Sequence, residues 1–200
     1  MIPLMFIQLL WIGIWQWFSP PAQSQSYQAA LVESSSFVLK GSSNLSDFKL
    51  VYTGSLGKTI NAEVSKNEYE MNIRASRPLN LKVEGFKSTN SFITKDFQKM
   101  LNVEIFPDLV IDPISVWQQK GKPGTVYALV FLTIAGCKKT ETLALTLKEQ
   151  KDNNILCAGV HKISLKKYAL EAPKKAFGAV HVKDEVAIDM VLNLQFKKTK

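Results

Sequence analysis

The chain has 200 residues, 46% of them hydrophobic and 21% charged, with two Cys and two His. That is enough apolar material for one globular core, which excludes a mostly disordered chain, and too little Cys and His for a disulfide framework or a four-ligand zinc site. Lys and Arg (25) exceed Asp and Glu (17) by eight, and because no charge precedes Glu33 the whole basic excess falls on 33–200.

From Ile2 to Phe18 the chain is apolar except at Gln8, Gly13 and Gln16, and Pro20-Pro21 then lead to Ala22-Gln23-Ser24, a small-x-small pattern. This reads as a secretory signal peptide over 1–24, since the run is shorter than the roughly 20 residues of a spanning helix and no basic stop-transfer flank follows it. The mature chain is then expected to begin close to Gln25 and to be periplasmic or secreted. An uncleaved anchor is the alternative. Residues 25–36 read as a polar N-terminal lead.

Beyond the lead, period-2 alternation recurs. Its cleanest case sets Val186, Ile188, Met190, Leu192, Leu194 and Phe196 against Ala187, Asp189, Val191, Asn193 and Gln195, one buried face and one mostly wet face of a long strand. Similar runs are expected at about 46–55, 59–65, 68–75, 79–86, 109–118, 125–135, 140–149, 155–165 and 179–183. Ser55-Leu56-Gly57-Lys58, Ser65-Lys66-Asn67, Lys120 to Gly124 and Lys151 to Asn154 supply the Gly, Asn and Asp of tight turns, which favour antiparallel neighbours. One short helix is expected at about Thr94 to Asn102, capped by Thr94, with Phe97 and Leu101 on one face set against an end of the sheet. An all-β, antiparallel barrel of about eight or more strands buries its edges; a sandwich is the alternative.

The apolar alternates Val130, Leu132 and Ile134, then Leu143, Leu145 and Leu147, then Ile163 and Leu165, and finally Val186, Ile188, Met190 and Leu192 fall on one side, the interior of a closed barrel. They either line a tunnel for an apolar ligand or fill the core. His161 shares the parity of Cys157, Ile163 and Leu165, so it either offers a hydrogen bond to a polar head group or sits satisfied in the core. Cys157 and His161 lie about 13 Å apart along a strand and cannot share an ion, so no metal site is expected. The chain has no Gly-x-Ser-x-Gly elbow and no paired carboxylate motif, which argues against an enzyme, and no cofactor is implied. The lysine pairs Lys138-Lys139, Lys166-Lys167, Lys174-Lys175 and Lys197-Lys198, with Lys200, are either solvated surface or a footing on anionic lipid heads. An exported chain without a recognition motif is not expected to bind nucleic acid. The thiols are expected to stay unpaired: a turn near Asp152-Asn153 sets Cys157 opposite Lys148 and leaves Cys137 about 35 Å away along the hairpin, beyond disulfide reach.

Five segments, in order, resemble the YceI-like family of exported polyisoprenoid-binding proteins: Phe37 to Asn44 with Phe48; Lys95 to Leu101 leading to Phe106-Pro107-Asp108; Leu132 to Lys139; Gly159 with Ile163-Ser164-Leu165 to Pro173; and Gly178 to Leu194. The resemblance spans 37–196 and implies a lipocalin-like barrel around an apolar tunnel, with 197–200 as a basic tail. It implies an apolar, isoprenoid-like lipid as partner, bound without chemistry; the rival reading is a ligand-free, filled barrel serving as a cell-envelope interaction or structural module. Cys137 and Lys138 stand where the family more often has Val and Thr, and Ser43-Asn44 where it often has a His. The chain thus resembles a divergent member.

Overall fold

The computed structural model describes residues 24–32, 34–56, 59–66, 71–75, 78–118, 124–150, 154–175 and 180–198. The segment read as a signal peptide lies, through residue 23, outside them. The strands are β1 (Ser24–Leu31), β2 (Ser36–Ser42), β3 (Asp47–Tyr52), β4 (Thr59–Lys66), β5 (Met71–Ala75), β6 (Leu79–Lys82), β7 (Phe86–Lys87), β8 (Asp108–Gln118), β9 (Thr125–Ile134), β10 (Cys137–Glu149), β11 (Asn154–Ser164), β12 (Lys174–Lys175), β13 (Val180–His181) and β14 (Glu185–Lys198). One α-helix stands among the described residues, α1 (Ser91–Met100).

Alternation decides the inner face. Along β9 every second residue, Val126, Ala128, Val130, Leu132 and Ile134, is buried, and each residue between them is half-buried. The turn to β10 is made by Ala135 and Gly136, both at positive φ (46° and 75°), so Ile134 pairs directly with Cys137. Two positive φ values in a two-residue loop match the right-handed twist of the strands it joins. The Phe106 ring packs over Gly136 where a Cβ would stand, so this turn needs glycine for both its backbone and its neighbour.

All the pairings are antiparallel, and the sheet runs β5-β4-β1-β14-β11-β10-β9-β8-β6. β5 lies beside β8, which brings the two ends of this path together. A second branch leaves β14 through β2 and β3 to β7. It is stitched to β6 and β8 by Thr53 N donating to Gly85 O (2.8 Å), Lys82 N to Tyr52 Oη (3.3 Å) and Val83 N to Pro107 O (2.8 Å). The result is a nearly closed antiparallel barrel with one helix.

The two branches share one edge of β14. Its far half, Leu194 to Lys198, pairs with β1, and its near half, Ala187 to Val191, pairs with β2. Where the chain steps between them, Val32 N donates to Asn193 O (2.9 Å), Asn193 N to Ser35 Oγ (2.9 Å) and Asn193 Nδ2 to Ser34 Oγ (2.8 Å). This corrects two expectations. Residues 25–31, read as part of a polar lead, form with Ser24 a strand because the long edge of β14 has backbone groups that β2 does not reach. For the same reason Lys197 and Lys198, assigned to a basic tail, are the last rungs of β14.

Smaller differences have equally local causes. A 3-10 turn at Val83–Gly85 divides the run expected at 79–86, and β10 starts at Cys137, right after the two-residue turn. The helix starts three residues earlier than expected because Asn90, an equally good cap, accepts from Phe92 N (3.0 Å). Thr94 is buried instead, its Oγ1 accepting from Ser88 N (2.9 Å). The helix closes one end of the barrel as expected, through Leu101 (1% exposed) and Phe97, whose ring meets Phe86 edge-on with centroids 5.8 Å apart.

Cys157 pairs with Leu147, one residue from the expected partner, and neither Cys is in a disulfide. Burial pushes the Cys157 thiol up to about 11. In the unreduced, unfolded protein two thiols per chain are expected to react with an aromatic disulfide reagent, and in the folded protein Cys157 is expected to be silent. Because the Phe97 ring is only half-buried, Leu101→Ala is expected to destabilise the fold by about 3 kcal/mol and Phe97→Ala by less, compared by urea denaturation.

Candidate cavity and the buried carboxylate beneath it

The inward residues of the helix-capped end do not meet in the middle. They enclose a cavity of about 410 Å³. Phe37 and Leu39 of β2, Leu50 of β3, Leu81 of β6, Phe86 of β7, and Leu109 and Ile111 of β8 line one side. Leu132 and Ile134, Ile163 and Leu165, and Val186 and Ile188 line the other, and Ile93, Phe97, Met100 and Leu101 form the roof. Phe48 lies flat across Gly41, its cross-strand partner; a Cβ there would stand 2.5 Å from the ring, so the glycine admits an aromatic ring to the wall.

Polar groups in this lining come from two short segments. Ser43 and Ser46 belong to the β2–β3 turn, and Asn90 and Asp96 to the cap and second turn of α1. The same segments carry Leu45 and Phe92, which border the cavity yet are 72% and 67% exposed. They mark the mouth. The β12–β13 hairpin is fastened beside it: Asn44 N donates to His181 O (3.2 Å), His181 N to Asn44 Oδ1 (3.0 Å) and Lys183 N to Ser42 O (2.8 Å).

Of the interior residues read from sequence, Leu132, Ile134, Ile163, Leu165, Val186 and Ile188 border the cavity. Val130, Leu143, Leu145 and Met190 are buried in the packed half, and Leu147 and Leu192 are half-buried against it. The cavity therefore lies at the helix end of the barrel, and the described inward residues next below it, Val130, Leu143, Leu145 and Met190, are buried in packed core. Sequence reasoning missed the wall contributed by β2, β3 and β6 to β8. The alternation Phe37, Leu39 was a usable signal there; β6 and β7 are too short to show a period.

His161 points inward, to a partner that sequence reasoning did not foresee. Glu141, opposite Val130 on β10, is 8% exposed, and its carboxylate is surrounded by donors. Tyr168 Oη donates to Oε1 (2.8 Å), Lys167 Nζ to the same oxygen (2.6 Å), and His161 Nε2 lies 3.2 Å from Oε2. An ionised carboxylate only accepts, so His161 presents its N–H. The 3-10 turn Lys166–Tyr168 brings these groups down, fixed by Lys166 N donating to Asp184 Oδ1 (2.9 Å) and ended by Ala169 at φ 56°. Tyr168 (1% exposed) thus sits between the lining residues Leu165 and Leu170 in sequence while its hydroxyl reaches Glu141 behind them. The signal for this cluster was a Glu on the same parity as Leu143 and Leu145.

Burial acts to raise the Glu141 carboxyl, but hydrogen bonds from Lys167 and Tyr168, the Lys167 charge and the contact with His161 outweigh it and hold the group below its ordinary range. Burial, then the bond to an anion, pushes Tyr168 far up, so it stays a donor. With every oxygen engaged and none facing the cavity, the cluster holds structure and offers the cavity no reacting group. Among the described residues no three His, Cys, Asp or Glu gather as a metal would need.

The barrel is similar to three solved structures. BcnA of Burkholderia cenocepacia superposes with a TM-score of 0.62 at 15% identity, over 80% of this chain and 95% of that one. A polyisoprenoid-binding domain from Saccharophagus degradans, implicated in plant cell wall breakdown, gives 0.57 at 11%, over 84% and 97%. The Campylobacter jejuni YceI protein gives 0.50 at 14%, over 70% and 81%. At these identities the likeness is one of fold. No family model and no curated protein matches the chain.

A carboxyl held low in the folded state stabilises it above the ordinary carboxylate pKa, and that contribution is lost as pH falls through the folded value. Glu141→Gln is therefore expected to lower stability at pH 7 by about 3 kcal/mol, because Lys167 and His161 lose their buried anion. The difference from the parent is expected to shrink as pH falls below about 4. Thermal melts of both proteins across pH 3 to 8 check the sign.

Proposed function

We propose, from the premise that this chain folds as a YceI-like barrel, that it binds one apolar, isoprenoid-like lipid in the cavity and carries or sequesters it without changing it chemically. The carrying observation is the 410 Å³ space whose interior walls are aliphatic and aromatic and whose polar groups stand at the mouth. An apolar tail gains about 25 cal/mol for each Å² it removes from water there. The polyisoprenoid-binding domain from Saccharophagus degradans, which shares the fold, supports the ligand class. Leu132, Ile134, Ile163, Leu165, Val186 and Ile188 would touch the tail, with Val130, Leu143, Leu145, Leu147, His161, Met190 and Leu192 supporting them from the packed half.

The setting we propose is outside the cytoplasm, with 1–24 removed as a signal peptide and 37–196 as the core of the barrel domain. The net charge of +8 and the exposed Leu45 and Phe92 at the mouth suit a passing contact with an anionic membrane surface. Native mass spectrometry of protein purified without detergent and incubated with a bacterial lipid extract is expected to show one bound lipid per chain. Protein that remains wholly ligand-free overturns the reading.

A further inference from the structure

The cavity stops at one level of the barrel, which is visible on the long strands β9 and β14. On β9 Leu132 borders it and Val130, at 2% exposure, does not; on β14 Ile188 borders it and Met190, also at 2%, does not. Cross-strand pairing makes this a floor. Val130 faces Glu141, Glu141 holds His161, Met190 faces Gly159 and, on its other edge, Phe37. Gly159 admits β10 so closely that a Cβ would stand 2.4 Å from Ala144 O, which leaves no slack between the strands at that level. The packed half of the core lies below.

We infer that this floor sets the length of chain that the cavity takes, an inference that rests on the lipid-binding reading. The tail enters first, because the polar lining is confined to the mouth. At about 30 Å³ for each water-sized group in a liquid, 410 Å³ holds roughly fourteen heavy atoms, a single tail of about three isoprene units. Further units stay outside the mouth and add nothing. Going deeper would require displacing the Met190 side chain and then the Glu141 cluster, whose ionised carboxylate needs all its donors.

Displacement of an environment-sensitive apolar dye by prenyl alcohols of two, three, four and six units tests this. Affinity is expected to rise steeply from two units to three, each buried carbon counting about fourfold, and to level off at four and six. Met190→Ala, which removes three side-chain heavy atoms from the floor, is expected to shift the plateau up by about half a unit, so that four units bind more tightly than three, and Ile188→Phe, which adds three to the wall, to shift it down by as much, so that the gain from two units to three shrinks. Both variants are first matched to the parent by circular dichroism, and either one alone suffices. A rise that continues through six units, or a plateau that neither substitution moves, overturns the length limit and leaves lipid binding standing. Failure of every alcohol to displace the dye overturns lipid binding itself, and the limit with it.

Discussion

Strand β14 has more edge than one partner covers, and the architecture follows from how that edge is divided. Along one side it pairs with β11 from Glu185 to Gln195. Along the other it is shared by β2 and β1, and the join is pinned by Asn193 to Val32, Ser34 and Ser35. Buried strand edges must be paired, so a fourteen-residue strand obliges the chain to supply two neighbours in succession. Those neighbours lead to different places, one to β4 and β5, the other to β3, β7 and the helix.

The division coincides with the limit of the cavity: the end of β14 beside β2 borders it through Val186 and Ile188, and among the described residues the part beside β1 does not. The branch through β2 curves under α1, where the helix spans the end of the barrel and walls stand apart around the cavity. Large residues border the space here, Phe37, Phe48 and Phe86 in the walls and Phe97 in the roof. In the other half Val130, Leu143, Leu145, Cys157 and Met190 pack as an ordinary core. A void forfeits contacts on one side of each lining atom, so the packed half must carry the stability that the hollow half gives up.

Between the two lies the buried carboxylate. A charge this far from water is tolerated only when ringed by donors, and Glu141 has three from two separate segments. The consequence is directional: Lys167 and Tyr168 reach it only from the 3-10 turn that follows β11, so the cluster fixes where that turn sits. Leu165 and Leu170, the lining residues at the ends of the turn, are fixed with it. A hydrophobic substitute of the same volume would fill the space without specifying that geometry.

The sequence by itself determined what depends on neighbours along the chain. Most of the strands, their inward parity, the helix and the separation of the two thiols follow from period and local backbone preference, and the all-β fold follows from them. The tertiary structure alone decided the rest. That residues 24–31 are a strand depends on an edge of β14 more than a hundred residues away, and nothing local announces it. That Leu132 faces a void and Val130 a packed core is invisible in an alternation that treats them alike, because period reports which face a residue takes and not how far the opposite wall stands. That Glu141 is a structural ion depends on three donors gathered from β11 and the turn beyond it, and such a meeting is a property of the folded chain.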